Sequence, residues 1–283
     1  MDFRLTEDQE AVRRAVRELA ARFPDTYWAE QDEAGCFPHA FYDAFAEGGW
    51  LGMAIPGQSQ MIVLIARTTP HEEVARPTDG MTLFLADLDP AAVELRPIPK
   101  MGRNAVPSYE VVLDGLRVPA ARRIGEEGQG FRHLLDGLNP ERILLAHEAL
   151  GIGRAALERA VRYAKERVVF GRPIGQNQGV AFPLAEAATR LEAAALTARQ
   201  AAWRYDRGES CGKEANMAKW LCADAGFQAA DRAVQTHGGM GYAREYHVER
   251  YFREARLLRL APLSQEMVLN HVATHVLGLP GSY

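Results

Sequence analysis

The sequence predicts a mainly α-helical protein in which a short β-rich region separates two helical parts. Apolar residues recur at helical spacing near the start, short and partly β-branched apolar runs fill residues 61–119, and long Ala-rich amphipathic runs follow Gly130. We therefore expect an N-terminal helical segment at 1–57, a partial β domain at 61–120 and an antiparallel helical bundle at 121–283, since long helices joined by short links favour a bundle.

Two helices are predicted in the first segment. Thr6 and Gln9 have the spacing of a capping box at the start of the first helix, and Pro24 is expected to end it. The second is expected at about His39–Glu47, before the stop signal of Gly48 and Gly49.

Three strands are predicted in the middle segment. The runs MIVLIART and MTLFLADL, which begin at Met61 and Met81, are separated by a polar, proline-containing loop, and a third strand is expected from Tyr109 to Pro119. Three strands alone leave unpaired edges and an uncovered face. The sheet is therefore expected to be incomplete.

Five helices are predicted in the bundle. Asn139 is expected to cap the first helix, with Pro140 in its first helical position, and this helix is expected to run to Gly171. The other four are expected at about 182–205, 213–236, 245–260 and 264–276.

Composition argues against several classes of function. With 283 residues and a formal charge of −4, the chain spreads its arginines among acidic residues, so nucleic-acid binding is not expected. MDFRLTEDQE lacks the apolar core of a leader and no run of about 18 apolar residues occurs, so we expect a cytoplasmic protein without a membrane contact. The three cysteines, Cys36, Cys211 and Cys222, are expected to be reduced core residues.

Two motifs imitate functional sites. Gly151, Gly153 and Ala156 match a dinucleotide-binding fingerprint, but they lie in a helical pattern that follows no strand, so we interpret them as a close helix-packing site. His271 and His275 have the spacing of zinc ligands, but they lack the glutamate of the HExxH motif. No metal site is expected.

Four consecutive blocks of the sequence resemble the acyl-CoA dehydrogenase family. They are Lys100–Phe131, Tyr163–Phe182, Ala233–Arg256 and a final apolar helix, in the family's order and spacing. LTEDQE and GGWLGMAIP near the start are similar to the family's N-terminal helical domain. The resemblance implies the family's fold, with an N-terminal helical segment, a β-barrel and a C-terminal bundle, and it implies FAD as the cofactor.

A long internal segment of the family pattern is absent. The family places roughly 100 residues, the size of a small domain, between the phrase that resembles GGWLGMAIP and the strand that resembles MIVLIART, whereas residues 57–60 join them here. In the family that segment supplies the loop and strand that cover the flavin and helices that line the acyl pocket. The three strands are therefore expected to be the second half of a barrel.

The resemblance implies that a carboxylate removes the α proton of an acyl-CoA while the β hydrogen leaves as hydride to the flavin, giving the trans-2-enoyl thioester. Most family members carry this base in a Tyr-Glu-Gly-Thr phrase before the last helix, where Pro262 stands here. Proline also lacks the amide N–H that polarises the thioester carbonyl in the family. Another residue must therefore act as the base.

Glu141 is the expected base. A minority of the family, typified by isovaleryl-CoA dehydrogenase, carries the base near the start of the long bundle helix just before an arginine, and Glu141-Arg142 stands there. An apolar pocket would raise the pKa of Glu141 into the working range, and Arg142 would contact the substrate. Alternatively, Glu141 only complements the helix dipole, and Glu266 is the second candidate base.

Three residues around the end of that helix match family positions that hold FAD. Arg167 matches an arginine that meets the pyrophosphate, where a guanidinium fork suits two phosphate oxygens. Phe170 and Gln178 match neighbours of the adenosine half. The alternatives are a surface cation, a core aromatic residue and a solvated amide.

A glycine loop and a serine complete the predicted cofactor site. Gln235, Gly238 and Gly239 match the family loop on which the cofactor backbone rests, because glycines let main chain approach phosphates. Gly238 is also expected to end a helix, which is compatible with that role. Ser264 matches a threonine near the adenine-side phosphates.

The resemblance also implies partners. It implies a homodimer or homotetramer in fatty acid metabolism, with electron-transfer flavoprotein as the electron acceptor and with Arg167 and the Gln235 loop acting across a subunit boundary. The alternative is a non-catalytic oligomeric bundle that keeps the family's assembly surface and has lost its active site.

Overall fold

The computed structural model describes residues 5–47 and 61–281, which divide into two compact units. One unit covers Leu5–Leu138, and the other begins at Asn139. The predicted stop at Gly48, the GGWLGMAIP phrase and the link at 57–60 lie outside the described residues. The three-domain division stays a prediction.

Three helices open the chain: α1 (Glu7–Ala21), α2 (Asp25–Ala34) and α3 (His39–Glu47). The capping box is confirmed, because the Gln9 N–H donates to the Thr6 hydroxyl oxygen at 3.3 Å and the Thr6 N–H donates to Gln9 Oε1 at 3.0 Å. Helix α2 was not predicted. Helix α1 ends at Ala21, three residues before Pro24, which stands as the N-cap of α2.

Helix α2 is held by an aromatic cluster. The Phe23 ring lies 5.1 Å from Tyr27 and 5.2 Å from Phe41, and the Trp28 ring lies 4.9 Å from Phe41. The Trp28 indole N–H also donates to the Phe23 carbonyl at 3.1 Å. These contacts join α2 to its neighbours in the chain, so α2 depends on packing that its own apolar spacing does not reveal.

The middle segment contains five strands: β1 (Met61–Arg67), β2 (Met81–Asp87), β3 (Val93–Pro97), β4 (Tyr109–Leu113) and β5 (Arg123–Ile124). They form an antiparallel sheet in the order β1-β2-β5 and a separate β3-β4 pair. The first two predicted strands are confirmed. The third ends at Leu113, not at Pro119, because Gly115 turns the chain with a φ of +68°.

The long helix α4 (Gly130–Glu166) starts earlier than predicted. Pro140 lies inside α4 and not in its first turn, and the Asn139 side chain does not cap a helix but accepts a hydrogen bond from Arg142 at 3.0 Å. The start is set beside β2, where a Cβ at Gly130 would come within 2.6 Å of the Leu83 nitrogen. Only glycine fits this contact, and the helix begins there.

The end of α4 also differs from the prediction. The helix stops at Glu166, and the residues up to Gly171 belong to a short hairpin of β6 (Val168–Val169) and β7 (Arg172–Pro173). The turn of this hairpin is Phe170-Gly171, and both residues have positive φ, as a type I′ turn requires.

The rest of the second unit is helical. It contains α5 (Gln178–Asp206), α6 (Gly212–His237), α7 (Val248–Leu257) and α8 (Gln265–His271), which a π-helical turn at Val272–Val276 extends. The four predicted helices after α4 are confirmed with small shifts of their ends. The largest difference is in α7, which is shorter than predicted. Within the described part of the chain, no helix is long and apolar enough to cross a membrane.

The bundle core consists mainly of alanine from α4, α5 and α6. Fully buried examples are Ala146, Ala156, Ala198, Ala201, Ala215, Ala218, Ala229 and Ala230. Small side chains let helix axes approach closely, and their close packing supplies dispersion contacts. Cys211 and Cys222 are buried in this core as predicted, whereas Cys36 is exposed, because it lies at the end of the small helix α2.

Helices α4 and α6 touch through their backbones. A Cβ at Gly153 would lie 2.7 Å from the Cα of Gly226, and a Cβ at Gly226 would lie 2.5 Å from the Ala149 carbonyl oxygen. The interpretation of the glycine motif as a helix-packing site is therefore confirmed.

This contact predicts opposite effects for two glycine-to-alanine substitutions. Gly226→Ala should destabilise the fold by about 1–3 kcal/mol, because the added methyl group overpacks a backbone contact. Gly151 is exposed on α4 with open space around it, so Gly151→Ala should stabilise by up to about 1 kcal/mol. Urea unfolding of both variants measures this, and equal effects would contradict the close approach.

Candidate functional site

The β6–β7 hairpin presents an aromatic side chain to solvent. Phe170 is fully exposed and has a φ of +51°. A bulky residue in this conformation costs on the order of 1–3 kcal/mol, and such strain is concentrated at functional sites. An exposed ring at the tip of a fixed turn is suited to stacking against a planar group.

Arg167 precedes this hairpin with a fixed backbone. Its N–H donates to the Tyr163 carbonyl at 2.8 Å, and its own carbonyl accepts from Ile174 at 2.9 Å. The guanidinium is exposed and has no hydrogen-bond or ionic partner among residues 5–47 and 61–281. Gln178 is the exposed first residue of α5, at the other end of the same short segment.

The glycine loop follows the end of α6. Gly238 has a φ of +60° and a ψ of −134°, a conformation that residues with a Cβ rarely adopt, and its N–H donates to the Gln235 carbonyl. A Cβ at Gly238 or Gly239 would meet nothing within 4 Å. The main chain therefore faces open space here. Gln235 itself is exposed, one turn before the loop.

A stacked pair of rings, Tyr163 and His237, with Tyr246 packed edge-on against both, joins these two parts. The Tyr163 ring lies 4.2 Å from His237 and 5.7 Å from Tyr246, and His237 lies 5.6 Å from Tyr246. Tyr163 holds the backbone of Arg167, and His237 directly precedes Gly238, so the stack brings the hairpin segment and the glycine loop together. This ring contact was not predicted from the sequence. A histidine beside two glycines at the end of an Ala-rich helix was the available signal.

These residues have the chemistry that a dinucleotide cofactor requires. An unpaired guanidinium suits a diphosphate, an exposed ring suits adenine, and an open glycine loop lets main-chain N–H groups reach phosphate oxygens. We call Arg167, Phe170, Gln178 and the loop from Gln235 to Gly239 the dinucleotide surface.

Glu141 and Arg142 lie towards the start of α4, whereas the dinucleotide surface lies at its end. Both are half-buried, and burial lowers the pKa of Arg142, although the carboxylate of Glu141 opposes this effect. The Nε of Arg142 is buried without a hydrogen-bond partner among the described residues. A buried unsatisfied donor is rare and is expected where a ligand supplies the acceptor.

Glu266 lies in the first turn of α8. Hydrogen bonds from its own backbone N–H and from the Ser264 hydroxyl lower the pKa of Glu266, which is exposed. Ser264 is the N-cap of α8 and accepts from the Met267 N–H at 3.3 Å. Glu266 is thus held in its ionised form, while Ser264 has a structural role beside any contact with a cofactor.

Lys219 of α6 is a buried cation that is hydrogen-bonded just before the start of α8. It is 1% exposed, and its ammonium donates to the Leu263 carbonyl at 2.5 Å. Burial lowers the pKa of Lys219, while the charge of Glu266 raises it and the charge of Arg142 lowers it further. Glu141, Arg142, Lys219 and Glu266 therefore form one electrostatic group, which we call the charge cluster. Lys219 was not predicted from the sequence as a site residue.

The buried stack predicts a dependence of stability on pH. Burial lowers the pKa of His237 below its ordinary value, so the unfolded chain binds a proton more readily below pH about 6.5, and stability is lost as pH falls through that value. The native chain should have a larger free energy of unfolding than His237→Gln at about pH 7.5. This difference should shrink as the pH falls to about 5.5, since one histidine titrates over this range. His147→Gln, an exposed control with the same bond to a preceding carbonyl, should show a smaller change. A pH-independent difference for His237→Gln would contradict the assignment.

Comparisons with known proteins show which family this chain resembles. The model of the acyl-CoA dehydrogenase C-terminal domain matches residues 128–277, and the model of the N-terminal domain matches residues 6–92. Acyl-CoA dehydrogenase FadE12 of Mycobacterium tuberculosis is 42% identical over 228 residues, which are 80% of this chain and 58% of that protein. CarC of Acetobacterium woodii, a subunit of a caffeyl-CoA reductase-Etf complex, is 35% identical over 70% of this chain and 52% of its own length.

The solved structure of butyryl-CoA dehydrogenase from Megasphaera elsdenii superimposes with a TM-score of 0.74 and 31% identity, covering 78% of this chain and 57% of that one. The chain thus spans little more than half the length of these relatives. The expected fold, an N-terminal helical segment, a partial β-barrel and a C-terminal antiparallel bundle, is confirmed. The chain belongs to the acyl-CoA dehydrogenase family of FAD-dependent oxidoreductases.

Proposed function

We propose that this chain binds FAD and dehydrogenates an acyl-CoA thioester to the trans-2-enoyl-CoA. The observation that carries the proposal is the dinucleotide surface, in which the free guanidinium of Arg167, the exposed ring of Phe170 and the open glycine loop after Gln235 are brought together by the Tyr163–His237 stack. Family membership supplies the reaction class.

Glu141 acts as the base and removes the α proton of the substrate. FAD, when bound, accepts the hydride from the β carbon. The carboxylate of Glu141 is half-buried next to Arg142, whose unpartnered Nε offers a hydrogen bond to the thioester part of the substrate. Glu266 is less suited to this role, because hydrogen bonds stabilise its ionised form and lower its pKa, whereas a base for a weak carbon acid needs a higher one.

The dinucleotide surface and the charge cluster serve different cofactor molecules. Glu141 and Arg167 are 26 residues apart along α4 and its end, so the rise of 1.5 Å per residue separates them by roughly 39 Å, further than one stretched dinucleotide reaches. We therefore propose a homodimer or homotetramer in which Arg167 and the Gln235 loop grip the FAD of a neighbouring subunit, while Ser264 lies near the subunit's own FAD.

Exposed apolar residues support such an assembly. Leu144, Phe182, Tyr242 and Leu277 are each more than 60% exposed on the second unit, and residues of this kind mark subunit contacts when they are many. Electron-transfer flavoprotein is the proposed electron acceptor, a role supported by the likeness to CarC.

A non-catalytic bundle is the second candidate, and the chain's short length relative to its family favours it. It predicts a colourless, folded oligomer, whereas the dehydrogenase predicts visible flavin absorption in the purified protein.

Arg167→Gln should weaken FAD binding roughly 10- to 100-fold, since a hydrogen bond to a charged group contributes about 1.5–3 kcal/mol. The matched control is Arg190→Gln on α5, which removes an exposed arginine that only pairs with Glu186. Titration of the apoprotein with FAD, followed by flavin fluorescence, measures the difference. Equal affinities for both variants would argue against a diphosphate at Arg167.

Glu141→Gln should lower the rate of dehydrogenation by about 10²- to 10⁴-fold, because it removes the general base, while FAD binding stays intact. Glu266→Gln should have a much smaller effect. Dye-coupled turnover with a series of short to long saturated acyl-CoAs measures both variants and also identifies the preferred chain length. The reverse order of effects would assign the base to Glu266.

A further inference from the structure

A buried lysine holds the segment that connects α7 to α8. Lys219 is the largest of the fully buried side chains in the described residues, and its ammonium donates to the Leu263 carbonyl. A buried charge costs several kcal/mol unless it is well paired. An alkyl side chain of similar size would fill the same space at no such cost, so packing alone does not explain a lysine at this position.

Three further contacts, made by α6 and by Arg259 just after α7, fix the same segment. The buried Gln265 accepts from Arg259 Nε at 2.6 Å and donates to the Trp220 carbonyl at 3.4 Å, and Arg259 lies 3.6 Å from the carboxylate of Asp224. These contacts hold the end of α7 and the start of α8. Lys219 alone among them reaches the middle of the connection, at Leu263.

The segment from Leu260 to Ser264 borders the charge cluster. Its Pro262 stands where the family resemblance places the usual base, and Ser264 and Glu266 follow directly. The charges of Glu266 and Arg142 act on the pKa of Lys219, and the charge of Glu141 acts on the pKa of Arg142. A shift of the segment would move the hydrogen-bond partner of Lys219 and the start of α8 with Glu266, and would therefore change the electrostatic surroundings of the proposed base.

We propose that Lys219 is a positioning residue, which ties the Leu260–Ser264 segment to α6 and thereby sets the geometry of the charge cluster around Glu141. This inference rests on the proposed function for its catalytic consequence. Its structural part concerns only the hydrogen bond from Lys219 to Leu263.

The test compares Lys219→Met with Lys213→Met, which removes an exposed lysine six residues earlier on the same helix. Hydrogen exchange of the full chain should show at least tenfold faster exchange at the amides of residues 263–268 in Lys219→Met, because the segment loses its tether, and no change in Lys213→Met. Unchanged exchange in Lys219→Met would overturn the proposal. If Lys219→Met does not fold, Lys219→Gln, whose side chain is shorter, replaces it. Exchange at residues 263–268 of Lys219→Gln that is as slow as in the native chain would overturn the proposal equally.

Kinetics of the FAD-loaded enzyme separate positioning from simple stabilisation. Lys219→Met should lower kcat on the order of 10²-fold, the typical effect of a small misplacement of reacting groups, with KM and FAD affinity close to those of Lys213→Met. A kcat equal to that of Lys213→Met would refute the catalytic part. Absence of turnover in the native chain would refute the proposed function instead, and the exchange result would still decide the role of Lys219.

Discussion

The backbone contact between α4 and α6 is the constraint on which the rest of the second unit depends. Gly153 and Gly226 allow the two helices to touch, and two matched pairs of residues follow along both helices in the same direction: Ala149 with Gly226, and Tyr163 with His237. The two helices therefore run parallel in one fixed register. Alanines line much of the space around them, because small side chains allow helices to approach closely.

With this register, one of the two candidate sites lies near each end of the helix pair. The charge cluster lies towards the start of α4, and the dinucleotide surface lies at its end, where the Tyr163–His237 stack joins the two helices again. A rigid pair keeps the two groups at a constant separation. In the proposed assembly, division of the cofactor site between subunits would follow from helix length, because each chain offers Arg167 and the glycine loop at one end of α4 and the proposed base Glu141 towards the other.

Features with a local cause were predictable from the sequence, whereas features with a distant cause were not. The Thr6–Gln9 capping box and the apolar run at β1 depend on neighbouring residues, and both were found where expected. The start of α4 depends on the fit of Gly130 against β2, and α2 depends on an aromatic cluster that extends to Phe41. In the candidate site, Lys219 and Leu263 meet across 44 residues. Arg167 and Gly238 were recognised only through the family resemblance, because an exposed arginine and a glycine have many ordinary explanations.

Subunit complementation tests the central claim most directly. At an FAD concentration that loads the native chain but leaves most of the Arg167→Gln variant without cofactor, chains carrying Arg167→Gln and chains carrying Glu141→Gln are each expected to be nearly inactive alone. When they are unfolded, mixed in equal amounts and refolded with FAD, half of the dimers are hybrids, and one of the two sites in each hybrid has both native residues. Dehydrogenase activity should therefore recover to roughly a quarter of the native value. Activity that stays at the level of the separate variants would contradict a site built from the opposite ends of two α4 helices.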